Sequence, residues 1–172
     1  MKLNKYIFFT IFFSILFFVS FSQTTSRAKQ INDINKYFSL SQKNAYSQAI
    51  DLLSYSTVIN ELVQGKRLTI LLQDEEIMGR LSDEEKNLLF VVHDGASIDA
   101  FFDKYTIDQF WDVSAISNAL LNGVKELSIL NRSNNNLKLS RHLNSYLVTY
   151  SDNTESNIVG NILAEASIIY FL

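Results

Sequence analysis

Two histidines, His93 and His142, are the residues of this sequence whose type suits acid–base work near neutral pH. His93 precedes Asp94, the pairing of a base with an orienting carboxylate. Adjacent residues on a helix do not face each other, however. His93-Asp94-Gly95 also suits a helix end with a cation near its C-terminus. His142 lies between Arg141 and Leu143 in an expected hairpin turn. Asp74, Glu75, Glu76 and Asp83, Glu84, Glu85 form two acidic clusters. Paired carboxylates about 5–9 Å apart hydrolyse glycosides, and several carboxylate oxygens together bind Ca²⁺. Both clusters also sit where helix N-termini favour negative charge, the reading preferred here. EF-hand spacing, a Gly-rich phosphate loop and a Gly-x-Ser-x-Gly elbow are all missing. The expectation is therefore no catalytic residue, no metal site and no cofactor.

Phe101, Phe102, Tyr105, Phe110 and Trp111 form the densest aromatic stretch after the N-terminal segment. Aromatic residues dominate interface hot spots and are equally ordinary core residues, so both readings stay open. Trp111, beside Phe110 in an expected loop, is the best single candidate for a partly exposed contact. Asn131-Arg132-Ser133 fits a glycosylation acceptor, relevant in a eukaryotic source.

The elements that must position these residues follow from periodicity. Ile31, Ile34 and Phe38 make a short helical stripe. Ser41 is expected to cap a helix with Ala45, Ala49, Leu52 and Leu53 on its apolar face. Thr57 is expected to cap a turn carrying Val58, Ile59, Leu62 and Val63, stopped at Gly65. Leu68–Leu72 reads as a buried strand. Asp74 caps the following helix, and Ser82 with Glu85 makes a capping box leading into Leu88, Leu89 and Val92. Ser97 is expected to cap Ile98–Tyr105. Beyond Gly123, short runs at 126–130, 136–140, 145–150, 158–163 and 167–172 alternate with Asn/Ser/Asp/Gly-rich turns, the spacing of a meander or small sandwich. Residues 158–169 fit a helical stripe equally well on periodicity. The fold class is α+β, with helices first and strands last, in one domain.

Composition bounds the rest. Of 172 residues none is Cys or Pro, and the net charge is −3. This excludes a disulfide framework, thiolate catalysis and Cys-bearing zinc sites. It offers no basic excess for nucleic acid. The chain is rich in Asn, Ile, Lys, Phe and Tyr, a bias that AT-rich coding alone produces, so the missing prolines weigh little. Seven of the 13 phenylalanines fall within the first 21 residues. There Lys2 and Lys5 precede an apolar run from Ile7 to Phe21, with small Ser20 and Ser22 before Gln23. That is the plan of a secretory signal peptide over residues 1–22. The run is shorter than the roughly 20 residues of a spanning helix, and no Cys follows it for a lipid anchor. Residues 23–42 are expected as an extension and 43–172 as the domain. Cleavage would leave 150 residues of charge −5, exported to the periplasm or the extracellular space without membrane insertion.

The order of elements resembles a fasciclin (FAS1) domain, in divergent form. That family opens on a strand running into a helix, and Thr69-Ile70-Leu71-Leu72-Gln73-Asp74-Glu75-Glu76-Ile77-Met78 keeps the shape, with Gln73 where a proline is usual. A second family signature, Tyr-His before a hydrophobic pair, resembles Tyr105-Thr106-Ile107, with Thr106 in the histidine place. The tail resembles the family's closing strands: Leu137–Arg141, Tyr146–Tyr150 and Ile162–Leu172. The resemblance implies strands rather than a helix over 158–172. It also implies a secreted, non-enzymatic module for cell adhesion or for association with matrix or cell envelope, binding a protein or glycan. The implied contact residues are Tyr105, Thr106, Ile107, Phe110 and Trp111. Two alternatives stand beside it: an exported glycan hydrolase using the acidic clusters, and a structural envelope protein without an adhesive role.

Overall fold

The computed structural model describes residues 34–121, 123–142 and 145–172. The expected signal peptide, residues 23–33 of the expected extension, and Ile31 lie outside the described residues.

Among the described residues, seven helices and a π-helical turn build the first half around two short strands. Ser39, rather than Ser41, caps α1 (Leu40–Ala45) through a capping box with Gln42. The helix breaks at Tyr46, and α2 (Ser47–Leu53) starts afresh. Tyr46 is the cause. It is buried, its ring lies 4.9 Å from that of Phe171, and its hydroxyl donates to the Leu172 carbonyl at 3.2 Å. The break turns Ala45 outward, while Ala49, Leu52 and Leu53 face the core as expected. Ser56, not Thr57, is the cap residue of α3 (Thr57–Val63), which ends at Gly65 with φ +77°. The strand β1 (Thr69–Leu72) is buried along its whole length.

Asp74 accepts from the Ile77 N–H at 2.8 Å and starts α4 (Glu75–Gly79). The Ser82–Glu85 capping box starts α5 (Asp83–Lys86), which widens into the π-helical turn Asn87–Val92. An extra residue per turn shifts the phase of the stripe. Of Leu88, Leu89 and Val92, Leu89 alone is buried, and Val92 is 58% exposed. His93, with φ 54°, ends the turn. Asp94, not Ser97, caps α6 (Gly95–Asp103), accepting from Ser97 N–H at 2.9 Å and Oγ at 2.6 Å. A helix that the periodicity did not indicate, α7 (Val113–Leu121), follows β2 (Thr106–Ile107). Asp112 caps it through the Ala115 N–H at 2.6 Å.

The second half is the expected run of strands: β3 (Glu126–Leu130), β4 (Asn136–His142), β5 (Ser145–Thr149), β6 (Glu155–Ile158), β7 (Gly160–Ala164) and β8 (Ser167–Phe171). Residues 158–172 are strands, not helix, but 158–163 is not one strand. The chain changes sheets at Val159, whose N–H donates to the Phe171 carbonyl at 2.9 Å. One sheet has the order β2-β1-β8-β7, with β8 parallel to β1; the other is the antiparallel meander β3-β4-β5-β6. Helices and strands are therefore interwoven through β1 and β8 rather than merely consecutive.

The two-residue period of a strand divides the core. Ile70, Leu72, Ile169 and Phe171 face the helices, with Phe101, Phe102 and Leu53. Leu71, Ile168, Tyr170 and Leu172 face the second sheet, with Leu139, Val148 and Ile116 of α7. The α+β class is as expected, as three layers rather than a plain two-sheet sandwich.

Candidate functional site

The five expected contact residues lie where β2 leads into α7. Tyr105 packs its ring 5.0 Å from that of Phe101 and meets Tyr150 edge-on at 5.6 Å. Burial raises the pKa of its phenol above the ordinary value. Thr106 and Ile107 are buried as β2, paired with Ile70 and Thr69. Their side chains fill the interior and present nothing to a partner. Phe110 and Trp111 are half-buried against the second core. Thr69 holds this loop down: its Oγ1 donates to the Gln109 carbonyl at 2.7 Å and accepts from the Trp111 N–H at 2.9 Å. The indole Nε1 donates to Gln109 Oε1 at 3.0 Å, and the Arg67 guanidinium sits 5.2 Å from the Phe110 ring centre. The aromatic stretch is thus mainly core, with Phe110 and Trp111 at its outer margin.

His93 and the acids Asp74, Glu75, Glu76 and Glu85 are occupied structurally. His93 stacks on Tyr55 at 4.2 Å, while the Asp94 carboxylate turns away to cap α6, so they form no acid–base pair. His142 closes β4 and is exposed. Asp74 caps α4. Glu75 accepts from Ser47 Oγ at 2.7 Å and Gln48 N–H at 3.0 Å, at the start of α2. Glu76 pairs with Arg80 at 2.5 Å. Glu85 closes the Ser82 box, and hydrogen bonds from Ser82 lower its pKa. Glu75 and Asp83 do line one open groove of about 470 Å³, together with Met78 and Phe90. Among the described residues, no group of three or more His, Asp and Glu side chains converges as a metal site. Asn131 is buried, its Nδ2 donating to the Lys104 carbonyl and its Oδ1 accepting from Asn135 N–H, both at 2.8 Å. A glycan on that nitrogen is incompatible with this fold.

Close to it, Arg132 fastens the β3–β4 turn to two other segments. Its guanidinium reaches Asp108 at 2.7 Å and also bonds Glu61, while Lys66 lies 2.8 Å from Glu61 and 3.3 Å from Asp108. Burial opposes ionisation of Glu61 and Asp108, but hydrogen bonds from Lys66 and Arg132 outweigh it and hold both carboxyls below their ordinary range. Burial raises Asp103 nearby, against the attraction of Arg132.

A larger opening lies between the C-terminal end of α7 and the second sheet, a groove of about 510 Å³. Cross-strand register puts Arg141 opposite Tyr146 and Tyr146 opposite Ile158. On β4, period two places Arg141 on the same face as Leu137 and Leu139, the face that α7 covers. Arg141 thus ends an apolar row at the rim of the core. Leu120, Leu121 and Val124 form the α7 side of the groove, with Lys125 beside them. Neither Arg141 nor Lys125 has a carboxylate partner among the described residues. Glu126 pairs instead with Lys138 at 3.1 Å, on the opposite face. The sequence reading did not single out this groove. Its one signal was the charged residue continuing the Leu137, Leu139 alternation.

The chain matches no protein-family model and no curated relative. Among solved structures it is similar to a FAS1 domain pair from the insect cell adhesion molecule Fasciclin I. The TM-score is 0.48 at 13% sequence identity, over 66% of this chain and 38% of that chain. This chain therefore spans about two fifths of the length of that structure. No helix among the described residues is long and apolar enough to cross a membrane.

Proposed function

We propose that this protein is an exported, non-enzymatic interaction domain that attaches to a protein or glycan of the cell surface, cell envelope or matrix. The observation that carries this reading is the groove beside α7, where two unneutralised cations stand next to exposed aliphatic side chains on a chain of net negative charge. Such a surface is poor for solubility and useful for attachment. Phe110 and Trp111, at the other end of α7, offer a second contact region at the margin of the core. The acidic clusters support the non-enzymatic side of the proposal. Asp74, Glu75, Glu76 and Glu85 are engaged by helix starts and by Arg80, and of the two acids that line the open groove, Glu75 is already held by Ser47 and Gln48.

The test is retention of the purified chain on cell-envelope and matrix fractions. Retention that falls when either Arg141 or Trp111 is changed supports attachment through these surfaces. A well-folded chain that passes through every fraction sinks the proposal.

A further inference from the structure

We propose that the groove between α7 and the second sheet docks an acidic peptide segment of a partner protein, with an aliphatic side chain seated among Leu120, Leu121 and Val124. This deepens the attachment reading and rests on it. The charges argue for the sign of the ligand. The residues lining the groove include Arg141 and Lys125 and no Asp or Glu. Both cations lack a carboxylate partner among the described residues, in a chain whose acids outnumber its bases, 18 to 15. Arg141 continues an apolar row, so any occupant that covers it strips water from a charge and must return an anion.

The remaining surface argues for a peptide. Leu121 is 66% and Val124 43% exposed at the lip. Aliphatic side chains of this kind gain by covering another aliphatic group, as an aliphatic side chain of a peptide provides. Ser117 and Tyr146 also line the groove and add polar character to it. The volume, about 510 Å³, is in the range of clefts that enclose small ligands.

The experiment is fluorescence anisotropy with the full chain and a labelled peptide, acetyl-Asp-Leu-Asp-Leu-Glu-Leu. A peptide with Lys at the acidic places and a sulfated glycan, heparin, are the comparison probes. The acidic peptide is expected to bind, to weaken with added salt, and to lose about tenfold in affinity in the double variant Arg141→Glu, Lys125→Glu. Leu121→Asp is expected to weaken it as well. All three positions are exposed, and circular dichroism of each variant checks that the fold is kept. Binding of the acidic peptide that is unchanged in these variants overturns the inference, as does tighter binding of the Lys-containing peptide. Heparin binding that the same variants abolish, with no peptide binding, also overturns it and assigns the groove to glycan. If envelope retention persists in the double variant, the peptide site falls while the attachment reading stands.

Discussion

Ser167→Ala isolates one oxygen atom that joins the two halves of the fold. Ser167 is completely buried at the start of β8, and its Oγ donates to the Lys66 carbonyl at 2.5 Å and accepts from the Leu68 N–H at 3.1 Å. Those two backbone groups lie just ahead of β1, next to the Leu68 carbonyl that accepts from the Ile168 N–H at 2.9 Å. Alanine fits the same space, so packing changes little. Two hydrogen bonds worth about 1 kcal/mol each disappear, and the buried Leu68 N–H is left without an acceptor, which costs at least about 1 kcal/mol more. The expected loss is therefore about 3 kcal/mol, or roughly 6–12 °C in Tm for a domain of this size. Urea titration followed by circular dichroism measures it, with an unchanged m-value expected. Ser128→Ala, on the exposed face of β3, is the control and is expected to shift stability by less than about 0.5 kcal/mol. A Ser167→Ala protein within about 0.5 kcal/mol of the parent would refute the claim that this hydroxyl ties β1 to β8.

Arg132→Met should cost about 2 kcal/mol, less than the loss of a fully buried pair because Glu61 and Asp108 keep part of their hydration. The same cluster sets an acid sensitivity. Both carboxyls are depressed in the folded state, so their stabilisation is complete above about pH 4.5 and is lost as pH falls through their lower folded values. Asp103, raised by burial, contributes with the opposite sign. Comparing urea midpoints of parent and Arg132→Met across that window separates the terms, and the variant should lose less on acidification; an equal loss would remove Arg132 from the account. Gly65→Ala should cost about 1 kcal/mol, because φ is +77° and a Cβ there meets nothing within 4 Å, so only backbone strain acts. Thermal melts check this, and Gly65→Asn should lose less.

Local signals survived into the fold wherever the physics was local. Asp74 and the Ser82–Glu85 box start helices because an N-cap needs only a side-chain oxygen and the next turn. Strands β3 and β4 begin at the residues that alternation indicated, Glu126 and Asn136. What failed was decided at long range. Tyr46 breaks a helix because it must meet Phe171 and Leu172, which no window around residue 46 contains. The π-helical turn rotates Val92 outward by a phase change that a 3.6-residue stripe cannot express. α7 was missed because Ser, Asn and Ala interrupt its apolar face, and its one fully buried residue, Ile116, joins a core supplied by strands distant in sequence. The site was harder still. The Tyr105–Trp111 stretch was conspicuous by composition and turned out mainly interior. The groove owes its existence to the register between Arg141 and Tyr146 across a hairpin and to α7, a helix that no periodic signal announced.

The position of β8 also dictates when this protein can finish folding. It lies between β1 and β7, and its contact with the β1 segment joins Leu68 to Ser167, 99 residues along the chain. A chain emerging N-terminus first completes its helical layer early, yet leaves one edge of β1 open and both cores without Ile168, Ile169, Tyr170 and Phe171. Such long-separation pairing is slow, and an open strand edge invites pairing with other chains. The last strand therefore acts as a timing element. Until it is inserted, this is a half-built sheet in need of protection, and a defect near residues 167–171 should appear as aggregation during synthesis before it appears as lowered affinity for any partner.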